Sequence, residues 1–161
     1  MSSYINPNKL KQILIQQAHF FDSVKCVAFH PNQPYFATGS NDRTAKVWRL
    51  SPDYTSTTLV AILKGHTQDI TSVAFHPTEP ILATASDDNT VKLWRVSSEN
   101  SSATCVATLK EHSKYVTSVA FDPTGRFLAS GSWDNTVILW RLSSDNSSAI
   151  PLTIIAGLVN C

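Results

Sequence analysis

Val119–Arg141 reads VAFDPTGRFLASGSWDNTVILWR, and the chain carries this stretch three times with substitutions. Val27–Arg49 is VAFHPNQPYFATGSNDRTAKVWR and Val73–Arg95 is VAFHPTEPILATASDDNTVKLWR. Trp48, Trp94 and Trp140 are each 46 residues apart, as are Asp42, Asp88 and Asp134. A constant period over three copies means one supersecondary unit stacked on itself, so the repeat has to be interpreted before any single residue.

The second copy shows what the unit is made of. Ile70–Phe75 (ITSVAF) alternates polar and apolar residues, as a half-buried strand does. His76–Pro80 holds two prolines in five residues, which a sheet interior does not accept, so it is a turn. Ile81–Ala85 is a second strand. Ser86–Asn89 is a tight turn of side chains that hydrogen-bond their own backbone. Thr90–Arg95 is a third strand, with Val91 and Leu93 on one face and Thr90, Lys92 and Trp94 on the other. The solvated loop Ser97–Ser102, with counterparts at Ser51–Ser56 and Ser143–Ser148, leads to a fourth strand at Thr104–Leu109. Leu10–Gln17 adds one strand ahead of the first repeat, with a short helix as the alternative. Four short antiparallel strands per repeat, and no sustained helical stripe, predict an all-β protein.

Composition narrows the function classes. The chain has 161 residues, enough for one domain, with 42% hydrophobic and 16% charged residues, as a folded soluble protein has. Lys and Arg are spread along a chain of net charge +1, without the basic stripe that nucleic-acid binding requires. The N-terminus lacks the apolar core of a signal peptide, and the run near Ala149–Val159 is roughly half of a membrane span. The sequence therefore predicts neither nucleic-acid nor membrane partners. Cys26, Cys105 and Cys161 are odd in number and share no metal-type spacing, which predicts reduced thiols in a cytoplasmic protein. Asn100-Ser-Ser and Asn146-Ser-Ser match the glycosylation acceptor pattern and read as polar loop residues.

The spacing of Gly65-His66, Asp88 and Trp94 resembles the WD40 repeat, and the resemblance runs from about Leu10 to the C-terminus. It implies four-stranded blades of a β-propeller, with residues 1–9 as a tail, 10–161 as the propeller segment, and blades at about 20–65, 66–111 and 112–157. It also implies a hydrogen-bonded set of four in each blade: His66, Thr84, Asp88 and Trp94 in the second, and His112, Ser130, Asp134 and Trp140 in the third. The first blade supplies Thr38, Asp42 and Trp48. There, however, His19 precedes Asp42 by 23 residues rather than 22, and Phe20 holds the expected histidine position, which leaves that set open. Arg49, Arg95 and Arg141 follow the tryptophans where the family pattern has Asp, outside the set of four.

Ser130, His112 and Asp134 have the composition of a hydrolase triad. The same constellation recurs as Thr84, His66 and Asp88, and a nucleophile is not built twice in successive repeats. Nor is there a Gly-x-Ser-x-Gly elbow. His30 and His76 lie in the proline turns and read as exposed turn residues rather than metal ligands; Asp122 replaces them in the third copy. No Gly-rich phosphate loop occurs. The sequence thus predicts no catalytic residue, cofactor or metal.

What the resemblance implies for function is a platform that binds protein segments on the face carrying the tight turns. Carried over by position, that face presents Ser23, Lys25 and Asn41; Asp69, Thr71 and Asp87; and Tyr115, Thr117 and Trp133. These positions vary between repeats while the set of four repeats, and Tyr115 with Trp133 is the aromatic pair suited to anchor a partner. The alternative is small-ligand binding or catalysis in a central channel lined by Ser23–Ala28, Ile70–Ala74 and Val116–Ala120. Those residues are mostly Val, Thr, Ser and Ala, poor material for catalysis. Closed propellers have about four to eight blades, so three blades predict self-association of the chain into a closed ring or, alternatively, a piece of a longer protein.

Overall fold

The computed structural model describes residues 18–19, 22–97 and 101–157. The described residues form three four-stranded antiparallel sheets. The first blade contains β1 (Val24–Phe29), β2 (Tyr35–Ser40), β3 (Thr44–Leu50) and β4 (Thr57–Lys64). The second contains β5 (Ile70–Phe75), β6 (Ile81–Ser86), β7 (Val91–Ser97) and β8 (Ser102–Leu109). The third contains β9 (Val116–Phe121), β10 (Phe127–Ser132), β11 (Thr136–Leu142) and β12 (Ala149–Ala156). The strand expected at Leu10–Gln17 lies outside the described residues.

Each blade is a meander whose strands pair in chain order, and its central hairpin is fixed by local chemistry. The Asn89 N–H donates to the Ser86 carbonyl at 3.2 Å, and Asn89 itself sits at φ 68°. Asn135 (φ 65°) and Arg43 (φ 66°) hold the same left-handed position in the other two turns. Asparagine enters that conformation more readily than most side chains, and a left-handed residue closing a short turn is standard hairpin geometry.

The blades stack face to face, which covers the middle blade on both sides and leaves β6 buried throughout. Ala37, Ala45, Val47 and Leu63 of the first blade pack on Ile70, Val73, Leu82 and Trp94 of the second. One period later, Ala83, Val91, Leu93 and Leu109 pack on Val116, Val119, Leu128 and Trp140. The front of each blade, carrying the tryptophan, meets the back of the blade before it. This is why both face assignments for the third strand end in apolar surroundings: Val91 and Leu93 meet the third blade, and Trp94 meets the first.

His30 and His76 are not exposed turn residues; both are buried. The His76 ring lies edge-on to Phe121 of the next blade, and its Nε2 is 2.9 Å from the Gly125 carbonyl. His30 likewise packs on Phe75 of the next blade. The neighbouring repeat buries the histidines, while Pro31–Pro34 and Thr78–Pro80 stay exposed.

Candidate functional site

Each blade carries a bulge near the start of its first strand. In β1 the ladder shifts between Val24 and Cys26, in β5 between Ile70 and Ser72, and in β9 at the pairing of Val116 and Ser118 with β10. The skipped residues are Lys25, Thr71 and Thr117. A bulge frees one residue from the ladder and re-aims its side chain; here the Thr71 hydroxyl donates to the Val116 carbonyl of the next blade and the Thr117 hydroxyl to the Gly131 carbonyl of its own.

The other six candidate positions are joined in pairs by the backbone. The Asn41 N–H donates to the Ser23 carbonyl at 3.1 Å, Asp87 to Asp69 at 3.0 Å, and Trp133 to Tyr115 at 3.0 Å. Each blade therefore gathers its three candidates at one corner, and the same frame holds different chemistry in each. In the second blade Asp69 faces Asp87, whose carboxyl is raised above its ordinary range by burial and by the Asp69 charge, with Lys25 acting in the opposite sense. The third blade carries aromatics: the Tyr115 and Trp133 rings are 5.7 Å apart between centroids at 45°. Tyr115 is 47% and Trp133 65% exposed, so this pair meets solvent.

Beneath the corners lie the sets of four. Asp88 Oδ2 is 2.7 Å from His66 Nδ1, His66 Nε2 is 2.7 Å from Thr84 Oγ1, and Trp94 Nε1 is 2.8 Å from the same hydroxyl. The carboxylate only accepts and the indole only donates, so the protons have one consistent direction. The indole N–H donates to the hydroxyl, the hydroxyl donates to Nε2, and Nδ1–H donates to Asp88. In the third blade Asp134, His112, Ser130 and Trp140 repeat this at 2.9, 2.7 and 2.8 Å. The first blade does the same with His19, 2.6 Å from Asp42 and 3.0 Å from Thr38, whose hydroxyl takes the Trp48 indole at 3.1 Å.

Further members were not anticipated from the sequence. Thr90 donates through its hydroxyl and its N–H to Asp88 Oδ1, at 2.6 and 3.0 Å, and Ser86 Oγ accepts the Asp88 N–H at 3.1 Å. Thr44 and Thr136 repeat the first arrangement, Ser40 and Ser132 the second. The signal was present, since these residues recur at the same period of 46. Burial alone would raise the Asp88 carboxyl, but the hydrogen bonds from His66 and Thr90 outweigh it and hold the carboxyl well below the usual range. Asp134 and Asp42 are depressed by the same balance.

This geometry bears on the triad-like composition. Ser130 is buried, and its oxygen is already shared between the Trp140 indole and His112, so it presents no face to a substrate. Among the described residues no group of three His, Cys, Asp or Glu side chains is placed to hold a metal ion.

The family model for the WD domain, G-beta repeat, matches residues 10–49, 57–95 and 103–141. The chain is a member of the WD40-repeat family. Within that family it is 43% identical over 49 residues to the nuclear distribution protein nudF 2 of Penicillium rubens, a match covering 30% of this chain and 10% of that protein. It is 41% identical over 49 residues to the nuclear distribution protein PAC1 of Ajellomyces capsulatus, again 30% and 10% of the two chains. With protein hir1 of Schizosaccharomyces pombe it shares 51% over 43 residues, 27% of this chain and 4% of that one. These matches span a small part of each relative, about one repeat of this WD40 chain.

Proposed function

We propose that this WD40 chain is a non-enzymatic interaction module that binds a segment of another protein, or a peptide, on the face carrying its tight turns. The observation that supports it is the repeated backbone tie between the paired candidate positions, a fixed frame that presents Ser23 with Asn41, Asp69 with Asp87, and exposed Tyr115 with Trp133. Exposed aromatics side by side supply large contact area at small entropic cost, which is why such residues dominate interface energetics. The repeat shared with nuclear distribution proteins and hir1 supports the module, not a common process. The free thiols of Cys26 and Cys105 suit a reducing, cytoplasmic setting. Among the described residues no element covers the outer faces of the first and third blades, which favours self-association into a ring.

A displayed peptide library tests this reading. Wild-type protein enriches a sequence class, and the Tyr115→Ala, Trp133→Ala double variant loses that enrichment while its thermal unfolding stays unchanged. Equal enrichment by both proteins sinks the proposal.

A further inference from the structure

We infer that two copies of this chain close a six-bladed ring head to tail, the front of one copy's first blade packing on the back of the other's third blade. This rests on the self-association reading above and specifies its geometry. The two outer faces are each a known half of a junction that the molecule already builds twice. Val27, on the front of the first blade, is 61% exposed, whereas Val73 and Val119 at the same repeat position are 6% and 8% exposed. Ile155, on the back of the third blade, is 60% exposed, against 1% for Leu63 and 6% for Leu109. Contiguous apolar surface of this kind is rare on a monomer and marks an interface.

The occupant follows from the match of residues. At the internal junctions a front presenting Val, Phe and Trp meets a back presenting two alanines and a branched aliphatic residue. The first blade's free front offers Val27 and Phe29, 61% and 68% exposed. The third blade's free back offers Ala120, Ala129 and Ile155, where the second blade uses Ala74, Ala83 and Leu109. Front against front has no such precedent in the molecule. Head-to-tail contacts of this type form either open filaments or closed rings. Two copies of three blades make six, within the range of about four to eight that closed propellers occupy, and three copies exceed it.

A polar contact points the same way. Arg95 Nη2 donates across the junction between the second and third blades to the Asp145 carbonyl at 2.6 Å. Arg141 occupies the Arg95 position in the third blade, and the loop bearing Asp53 in the first blade repeats the Asp145 loop. The Ser51 hydroxyl caps Asp53 at 2.6 Å as Ser143 caps Asp145 at 2.7 Å, with Tyr54 and Asn146 both at φ 54°. Arg141 of one copy therefore donates to the Asp53 carbonyl of the other.

The test is mass in solution by light scattering at several concentrations. It uses wild type, Val27→Asp, Ile155→Asp and an equimolar mixture of the two variants, with circular dichroism to check folding; Val24→Asp and Val137→Asp form a second such pair. The expected result is wild type at twice 17.7 kDa and each variant at 17.7 kDa. The mixture returns to the mass of a pair, because one junction then joins an unaltered front to an unaltered back. Folded Ile155→Asp that stays dimeric, or a mixture that stays monomeric beside a dimeric wild type, overturns the head-to-tail arrangement and leaves self-association standing. A wild type that stays monomeric removes both. Peptide capture at Tyr115 and Trp133 is read separately and does not depend on either outcome.

Discussion

The Nε2 nitrogen of His76 lies 2.9 Å from the Gly125 carbonyl, and through it the second blade holds the third. Nδ1 of the same ring accepts the Thr78 and Glu79 N–H groups at 3.2 and 3.0 Å, so Nε2 carries the proton and donates. His76→Ala leaves the buried Gly125 carbonyl and the two part-buried turn amides without this partner and removes the edge contact with Phe121. At about 1–3 kcal/mol for each buried group left unsatisfied, a loss of roughly 2–4 kcal/mol is expected in urea unfolding. His30→Ala costs less, since His30 accepts one amide, that of Asn32 at 3.1 Å. Gly125→Ala is also destabilising, because Gly125 sits at φ 73° and an added Cβ would overlap the His76 ring. If His30→Ala proves the more damaging of the two histidine variants, the assignment of His76 as the junction tie is wrong.

Thr84 separates the contribution of its hydroxyl from that of its shape. Its buried oxygen serves both His66 and Trp94. Thr84→Val keeps the volume and strands two polar groups, with an expected loss of roughly 2–4 kcal/mol. Thr84→Ser removes one methyl and keeps the hydroxyl, as Ser130 does in the third blade, and costs about 1 kcal/mol. Denaturant midpoints of the two variants decide the matter, and equal losses would mean that packing, not the hydrogen-bonded set, holds the position.

Much of this was legible in the sequence because the information is repeated and local. The turn at Ser86–Asn89, the strands around it and the spacing of His66, Thr84, Asp88 and Trp94 all lie within one repeat. What escaped was contact between repeats. His76 is buried by Phe121, 45 residues downstream, and no local pattern distinguishes that from an exposed proline turn. The bulges that free Lys25, Thr71 and Thr117 also left no sign, since their strands alternate normally on paper. The extra residue between His19 and Asp42 does not prevent contact, since His19 Nδ1 still lies 2.6 Å from Asp42.

Acid should unfold the protein through its aspartates. Asp88, Asp134 and Asp42 are depressed in the folded state from an ordinary value of 3.8. A group with a depressed folded value contributes stability that is present above the unfolded value and is lost as pH falls through the folded one. Urea midpoints should therefore be level from about pH 7 to 5 and fall steadily below about pH 4. Asp88→Asn should lower stability at neutral pH and flatten the acid slope. A wild-type midpoint unchanged between pH 5 and 3 would show that the carboxylates are not linked to folding.

Asp122 occupies the position of His30 and His76 in the third blade, and this makes the copy-to-copy junction adjustable. In the first two blades the histidine reaches forward onto Phe75 or Phe121; Asp122 instead turns inward, accepting from Thr124 and from the Phe127 N–H at 2.8 Å. If the back of the third blade receives the other copy's front, Asp122→His places an imidazole where that copy's Phe29 stands. Its Nδ1 takes over the turn amides, as in His76. The ring has two such junctions, and each gains a contact worth about 1 kcal/mol, so the dimer dissociation constant falls roughly thirtyfold. Sedimentation equilibrium reads this directly. A folded Asp122→His protein with unchanged or weaker association would mean that this corner of the third blade does not face a second copy.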